Sequence, residues 1–159
     1  MDEKARRVIE LARASGLRVA TAESCTGGLI AATLTEIAGS SDVLDRGFVV
    51  YSNQAKSEML GVDPRLIQVR GAVSEDVARA MAEGALSHSN TDIAIAVTGI
   101  AGPAGATSTK PLGLVHIACA SRGTGTLHEH HVFPGDRRAV RLAAVDKALD
   151  LMLRRIAMN

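Results

Sequence analysis

The segment 93–97 (IAIAV) constrains the fold of this chain more than any other stretch of its sequence. All five residues are apolar, as expected of a β-strand that is covered on both faces. Apolar residues make up 47% of the chain, yet it contains no Trp, one Tyr and two Phe. A core built from Val, Ile, Leu, Ala and Met suits helices packed closely on a sheet. The segment therefore predicts a buried strand with other elements against both of its faces.

Strand and helix patterns alternate along the rest of the chain. Strands are predicted at 17–22, 47–51, 93–97, 113–120 and 126–133. Helices are predicted up to Gly16, at 29–37, at 54–60, after Ser74 and after Asp136. Gly61 is expected to end the helix at 54–60, and Pro64 to prevent its continuation. This order predicts one domain over residues 1–159, with a three-layer α/β/α fold and a mixed, mostly parallel sheet of about five strands.

The charge balance and the cysteine content argue against several classes of protein. The formal net charge is +1, from 18 basic and 17 acidic side chains, unlike the basic surface of a nucleic-acid binder. Cys25 and Cys119 lie far apart and outside any CxxC motif, which argues against a disulfide scaffold and for a reducing compartment. The N-terminus does not resemble a signal peptide, and no apolar run reaches the ~18–20 residues that span a bilayer. We therefore expect a soluble, cytoplasmic protein that binds neither membranes nor nucleic acid directly.

The segment 21–28 (TAESCTGG) places a serine between the end of a strand and the start of a helix. Ser24 would lie where α/β sheets bind ligands, and N–H groups near Gly27 and Gly28 would favour a developing negative charge. This arrangement suits a nucleophile with part of its oxyanion hole. Taken alone, the segment is better explained by a helix cap and a tight glycine turn. Cys25 is intrinsically the better nucleophile, and the sequence leaves open which of the two side chains faces the cleft.

A second segment, 51–56 (YSNQAK), supplies a base. If Ser52 or Asn53 caps the following helix, Lys56 lies in the first turn, where the helix dipole opposes a cation. Partial burial lowers the pKa of such a lysine further. A neutral lysine is a general base for a serine hydroxyl, and Tyr51 is placed to relay a proton or to fix the lysine. Without other evidence, a solvated surface lysine explains the segment better.

Two more segments offer groups that bind ligands. The glycine-rich stretch 98–105 (TGIAGPAG) follows the buried strand, so its backbone donors can approach a ligand closely. It lacks the Gly-Lys-Ser/Thr ending of a P-loop and the glycine spacing of a dinucleotide-binding motif. Asp136 is expected to cap the last helix, and Arg137 suits bidentate pairing with a phosphate. A solvated arginine near a helix start is the commoner arrangement.

The stretch His128-Glu129-His130-His131 suggests a metal site only weakly. On a strand, His128 and His130 face one side while Glu129 and His131 face the other. No further ligand cluster accompanies them, so no metal is expected. Cys119 falls within an apolar strand, where packing explains it.

Taken together, these segments resemble the family formed by the C-terminal domain of the competence/damage-inducible protein CinA and its stand-alone relatives, the nicotinamide-nucleotide amidohydrolases. The resemblance covers nearly the whole chain. It is carried by TAESCTGG at 21–28, IAGSS at 37–41, RGFVVYSNQAK at 46–56, GAVSE at 71–75, TGIAGP at 98–103, KPLG at 110–113 and GDR at 135–137. Their joint occurrence in this order is far more specific than any single motif. The family fold is a three-layer α/β/α domain, in agreement with the pattern of elements.

The resemblance implies a reaction and a set of site residues. The reaction is hydrolysis of nicotinamide mononucleotide to nicotinic acid mononucleotide and ammonia, without a metal or an organic cofactor. The implied nucleophile is Ser24, the general base is Lys56, and Tyr51 assists them. The positions implied to line the nucleotide site are Thr98, Gly99, Ile100, Ala101, Gly102 and Arg137. A homodimer is a family-level expectation.

Two alternatives stay open at the level of sequence. The first is a related amidase that acts on another amide-bearing nucleotide or small molecule. The second is a non-catalytic binding protein acting in competence or DNA repair through a protein partner. The joint presence of Ser24, Tyr51 and Lys56 favours the enzyme.

Overall fold

The computed structural model describes all 159 residues of the chain. Its helices are α1 (Asp2–Ala14), α2 (Leu29–Thr35), α3 (Asn53–Leu60), α4 (Pro64–Arg70), α5 (Glu75–Ser87) and α6 (Arg137–Ala157). Its strands are β1 (Val19–Glu23), β2 (Leu44–Val49), β3 (Ile93–Gly99), β4 (Leu114–Ser121) and β5 (Leu127–Val132). None of the helices combines the length and the apolarity that crossing a membrane requires.

The five strands form one mixed sheet in the order β2-β1-β3-β4-β5. β1 runs parallel to both β2 and β3, whereas β4 runs antiparallel to its two neighbours. Four strands therefore point in one direction and β4 alone points in the other. This confirms the predicted α/β fold with a mixed, mostly parallel sheet of five strands. The carboxyl ends of β1, β2 and β3 meet at one edge, where α/β sheets bind ligands.

The two faces of the sheet bury different side chains. On β3, Ile93, Ile95 and Val97 belong to a core shared with α1, α2 and α6. The alternate residues, Ala94 and Ala96, belong to a second core shared with α3, α4 and α5. The period-two alternation of a strand separates the two sets, and helices cover both. The segment 93–97 is thus buried on both faces, as its sequence predicts.

Two local predictions need correction. β2 covers residues 44–49 rather than 47–51, so the chain leaves the sheet before Tyr51. Pro64 does more than prevent the continuation of α3, because it is the first residue of the unpredicted helix α4. The Asp63 side chain accepts a hydrogen bond from the Arg65 N–H at 2.9 Å and caps this helix. Proline suits a first helical position, where no intrahelical partner exists for its missing N–H.

Candidate functional site

A cavity of about 240 Å³ opens at the edge where β1, β2 and β3 end. It lies between the turn after β1, the start of α3, the segment before α5 and the loop after β3. The candidate site residues named from the sequence that line it are Ser24, Cys25, Tyr51, Lys56, Thr98, Gly99, Ile100, Ala101, Gly102 and Arg137. The fold therefore brings together segments that are far apart in the chain.

Ser24 and Lys56 are in direct contact at the floor of this cavity. Lys56 Nζ lies 3.0 Å from Ser24 Oγ, and the two side chains are buried, with Lys56 only 1% exposed. Lys56 Nζ also donates to the backbone oxygen of Val50 at 3.0 Å and to that of Tyr51 at 3.1 Å. Burial is the main influence on this amine, and no carboxylate offsets it. A buried amine with only neutral partners is the environment in which a lysine loses its proton most easily.

The surroundings of Lys56 favour the neutral amine. Burial lowers the pKa of Lys56 below its usual value of 10.5, because the ammonium loses its hydration without gaining a counter-ion. A neutral amine has two N–H donors and one lone pair. The carbonyls of Val50 and Tyr51 accept the two donors, which leaves the lone pair for the Ser24 hydroxyl. This is the geometry of a nucleophile next to its general base.

The start of α3 explains why the lysine reaches the serine. Of the two candidate caps, Ser52 is the one that caps the helix, since its side chain accepts from the Ala55 N–H at 3.0 Å. The Lys56 N–H donates to the Ser52 carbonyl at 3.2 Å and closes the first turn. Helical side chains point back toward the N-terminus, so Lys56 extends toward the strand ends and Ser24. The helix dipole at this position opposes a positive charge.

The turn after β1 directs two adjacent side chains to different places. Ser24 Oγ meets Lys56, whereas Cys25 packs against the end of β3. A Cβ at Gly99 would stand 3.2 Å from the Cys25 sulfur, so the missing side chain makes room for the thiol. Burial raises the pKa of the Cys25 thiol to about 11, which keeps it protonated near neutral pH. Of the two candidate nucleophiles, Ser24 is the one that touches a base.

Gly27 and Gly28 do not line the cavity, although the sequence pointed to them. The Gly27 N–H donates to the Ser24 carbonyl at 3.0 Å, so it turns back into its own loop. The glycines have φ values of 60° and 102°, which fit a tight turn. In this turn, the N–H groups of Cys25 and Thr26 carry no hydrogen bond to another residue. The Gly28 N–H carries none either, but Thr26 and Gly28 do not line the cavity and Thr26 is fully buried. The Cys25 N–H is therefore the donor of this turn that is available beside Ser24.

Glu23 is a buried residue of this turn that the sequence reasoning missed. Its carboxylate accepts the N–H of Ile30 at 2.8 Å and that of Ala31 at 3.0 Å. It therefore caps α2, where a negative charge is favourable. The signal was an acidic residue at the end of an otherwise apolar strand, just before the start of a helix.

Tyr51 and Arg137 form a pair at the rim of the cavity. Arg137 donates to the Tyr51 hydroxyl at 2.7 Å and to the Gly102 carbonyl at 2.8 Å. Tyr51 is 60% exposed, and its contact with Lys56 is made by its backbone oxygen rather than by its phenol. The pair joins the start of α6 to the start of α3 and to the loop after β3.

The loop after β3 contributes mainly backbone groups. The Thr98 hydroxyl donates to the Ala72 carbonyl at 2.8 Å. The Ile100 N–H donates to the Leu114 carbonyl at 2.9 Å and extends the pairing of β3 with β4. The next two N–H groups, of Ala101 and Gly102, carry no hydrogen bond to the protein. Both residues line the cavity, so their N–H groups are further donors there.

Three histidines stack on the neighbouring part of the sheet. His128 and His130 face one side of β5, as predicted, and both stack against His116 of β4. His116 Nδ1 lies 2.9 Å from His128 Nε2. Burial, followed by the two neighbouring imidazoles, lowers the pKa of His116 to about 4. No group of three or more His, Cys, Asp or Glu side chains in the chain is arranged to hold a metal ion.

The chain matches the family model described as the CinA C-terminal domain over residues 1–156. It is 49% identical to a CinA-like protein from Syntrophobacter fumaroxidans over 96% of its length. It is also 49% identical to a CinA-like protein from Geobacter sulfurreducens over 94% of its length. In both cases it spans 36% of the relative, so it corresponds to about a third of those longer proteins.

Solved structures with the same fold cover almost all of the chain. The competence/damage inducible protein CihA from Agrobacterium tumefaciens is 51% identical, with a TM-score of 0.94 over 96% of this chain and 93% of that one. A CinA superfamily protein from Klebsiella pneumoniae is 37% identical, with a TM-score of 0.95 over 99% of this chain and 98% of that one. These similarities agree with the resemblance seen in the motifs.

Proposed function

This chain belongs to the CinA C-terminal domain family, and we propose that it hydrolyses the carboxamide of nicotinamide mononucleotide to nicotinic acid mononucleotide and ammonia. The observation that carries the proposal is the 3.0 Å contact between Ser24 Oγ and the buried amine of Lys56. A serine paired with a neutral lysine is a known arrangement for acyl transfer. The choice of substrate rests on the resemblance to the nicotinamide-nucleotide amidohydrolases.

The proposed reaction proceeds through an acyl-enzyme. Lys56 Nζ takes the Ser24 hydroxyl proton while Ser24 Oγ bonds to the carboxamide carbon. The tetrahedral intermediate collapses as the C–N bond breaks, and the Lys56 ammonium returns the proton to the departing ammonia. Water then attacks the ester, with Lys56 again as the base, and releases the acid and Ser24. The positive charge of the pyridinium ring withdraws electrons from the carbonyl and assists both attacks.

The tetrahedral intermediate needs donors for its oxygen anion. The Cys25 N–H follows the nucleophile directly, and the N–H groups of Ala101 and Gly102 lie on the facing loop. Donors held in place before the reaction are worth about 10²–10³ in rate each. Oxyanion stabilisation by these backbone groups requires no metal ion.

Arg137 is the proposed contact for the phosphate. It lies at the rim of the cavity and uses its two Nη atoms on Tyr51 and Gly102. A guanidinium has five N–H donors, so others remain for a phosphate oxygen. Arg137→Ala should raise the KM for the nucleotide, while turnover of the corresponding nucleoside stays unchanged. An equal loss on both substrates would contradict a phosphate contact.

The central test measures ammonia release from nicotinamide mononucleotide by the wild type, Ser24→Ala and Cys25→Ala. We expect activity to disappear in Ser24→Ala and to persist in Cys25→Ala, because only Ser24 touches the base. All three proteins should show the same circular dichroism spectrum. Normal ammonia release by Ser24→Ala would refute the serine mechanism.

The outcome for the wild type separates the proposal from its alternatives. If folded wild type releases no ammonia from this substrate but does so from another amide-bearing nucleotide, the mechanism stands and the substrate is different. If no amide is hydrolysed and Ser24 reacts with no acylating or phosphonylating reagent, a non-catalytic binding role replaces the enzyme.

A further inference from the structure

The segments 110–113 (KPLG) and 71–75 (GAVSE) meet through a side chain that the proposed reaction does not use. Lys110 Nζ donates to the carbonyl of Arg70, the last residue of α4, at 2.6 Å. The end of a helix has free carbonyls and favours a cation. A Cβ at Gly71 would stand 2.5 Å from Lys110 Nζ, so this glycine makes room for the amine. The two segments therefore form one joint between the loop after β3 and the chain before α5.

The chain before α5 is held in place without help from that loop. The Ser74 hydroxyl donates to the Gly71 carbonyl at 2.9 Å. The Thr98 hydroxyl donates to the Ala72 carbonyl at 2.8 Å and ties this chain to β3. Ala72 and Val73 line the cavity. The Arg70 carbonyl thus belongs to a fixed part of the site, to which a mobile segment can be attached.

The loop 103–110 has almost no other attachment to the protein. Its residues up to 109 (PAGATST) are small and exposed. Its other hydrogen bonds join Thr107 to Lys110 within the loop itself. Lys110 is therefore the one residue of this loop that is hydrogen-bonded to the rest of the chain. Because Ala104 and Gly105 line the cavity, the position of this wall depends on Lys110.

From these contacts we propose that Lys110 is a positioning residue, which holds the loop 103–110 as a wall of the cavity and thereby limits the size of the molecules that reach Ser24. The inference rests on the proposed serine mechanism and adds a determinant of substrate size to it. Lys110 does not line the cavity, so its effect passes through the backbone of the loop. A loop that is already held in place also loses less conformational freedom when a substrate binds.

The test compares phosphonylation of Ser24 by two fluorophosphonates, one with a small ethoxy group and one with a bulky aryl group. In both reactions Ser24 Oγ bonds to phosphorus, the P–F bond breaks, fluoride leaves and the hydroxyl proton passes to Lys56. The rates are followed by mass spectrometry. Their ratio, bulky over small, reports the space around Ser24, because a change in the reactivity of the serine or of its base affects both rates alike.

The variants are Lys110→Ala, Gly71→Ala, the double variant and the control Lys147→Ala. Lys147 lies on α6, away from this joint, and pairs with Asp150 at 3.7 Å. Gly71→Ala keeps the lysine but places a Cβ where its amine lies. Its positive φ of 80° adds backbone strain, which lowers stability without a preference for either reagent.

We expect Lys110→Ala to raise the ratio about 10-fold, the lower end of steric discrimination by a binding pocket. Labelling by the small reagent should stay within about twofold of the wild type. Gly71→Ala should raise the ratio as well, and the double variant should add little, because both changes break the same contact. Lys147→Ala should match the wild type. With nicotinamide mononucleotide, Lys110→Ala should raise KM about 10-fold and leave kcat nearly unchanged.

The possible failures are distinguishable. An unchanged ratio in labelled Lys110→Ala would overturn the positioning role, even if the melting temperature falls. An equal loss of both rates would also overturn it, since Lys110 would then act on the chemistry of Ser24. If neither reagent labels folded wild type, the serine mechanism is wrong, and the size limit falls with it. Labelled wild type that releases no ammonia from nicotinamide mononucleotide would overturn the proposed substrate alone, and the ratio would still decide the role of Lys110.

Discussion

Two basic side chains are buried in this domain, and their surroundings suit them to different roles. Lys56 and Arg155 are each only 1% exposed, and neither forms an ion pair. Arg155 lies near the end of α6 and donates to Thr124 Oγ1 at 2.9 Å, to the Cys119 carbonyl at 3.1 Å and to the Gly125 carbonyl. Lys56 donates to two carbonyls, and its Nζ also contacts the Ser24 hydroxyl.

The difference between the two cations is the ability to lose a proton. A guanidinium stays charged at any ordinary pH, so Arg155 links β4, the turn before β5 and α6 permanently. A buried lysine is neutralised at a modest cost, because its pKa falls with burial. Arg155 therefore serves the fold, whereas Lys56 is suited to the proposed chemistry of Ser24.

The sharpest test of this comparison replaces each cation by methionine, and Lys56→Met should give the larger change in activity. Without the base, kcat should fall by about 10³- to 10⁴-fold, as for the loss of a member of a catalytic group. The free energy of unfolding should change little, because removal of a buried amine offsets the donors that the Val50 and Tyr51 carbonyls lose. Steady-state ammonia release and urea unfolding measure the two effects. Substantial residual activity would show that another base acts on Ser24.

Arg155→Met should have the opposite profile. The buried Cys119 carbonyl and the part-buried Gly125 carbonyl lose their donor, so the free energy of unfolding should drop by about 3 kcal/mol. Activity per folded molecule should not change, because about 27 Å of helix separates Arg155 from Arg137 at the cavity. Urea unfolding together with kcat at a temperature below the transition checks both statements. A fall in kcat without a loss of stability would break the comparison.

The pH dependence of stability separates the two cations a second time. Lys56 has a lower pKa in the folded state than in the unfolded state, so folding releases its proton. The free energy of unfolding should therefore rise with pH from the lowered value up to 10.5, and this contribution should vanish in Lys56→Met. Arg155→Met should keep the rise. Unfolding is best compared over a pH range that ends below the ordinary thiol pKa of 9.0.

The activity should follow the same titration. kcat/KM reports the ionisation of the free enzyme, so it should rise with pH to a plateau with a midpoint below 10.5. A profile that is flat across the alkaline range would mean that Lys56 is already neutral at the lowest pH tested or is not the base. The stability difference between wild type and Lys56→Met separates these two explanations.

The sequence predicted the parts of the site better than the links between them. The period-two and helical patterns placed Ser24 after a strand and Lys56 in a first helical turn, and both positions are those of the structure. Their contact spans 32 positions, and the resemblance to a family, rather than any local pattern, suggested it. Side-chain geometry then separated Ser24 from Cys25.

The features that the sequence analysis missed either act through backbone groups or contradict a local sequence preference. The Glu23 carboxylate accepts two backbone N–H groups of α2, and Arg141 donates to the Cys25 and Thr26 carbonyls. Backbone partners of this kind leave no signature in the sequence. Arg155 lies three residues after Met152 on the apolar side of α6. From the sequence alone, an arginine at such a position is interpreted as a solvated residue that interrupts the apolar pattern of the helix. α4 was missed because Pro64 was interpreted only as the end of a helix, although proline also favours the first position of one.

The smallest predicted effect concerns Tyr51, whose backbone contacts Lys56 and whose side chain contacts Arg137. Its carbonyl holds Lys56, but its exposed phenol accepts only from Arg137. Tyr51→Phe keeps the carbonyl, so kcat and its pH midpoint should stay within about threefold of the wild type, while KM for the nucleotide rises several-fold as Arg137 loses a partner. A tyrosine that relays the proton to Lys56 would instead lower kcat about 10²-fold or more. Stopped-assay kinetics with Arg137→Ala as the matched variant decide between the two roles, because a shared action through Arg137 makes the effects on KM less than additive.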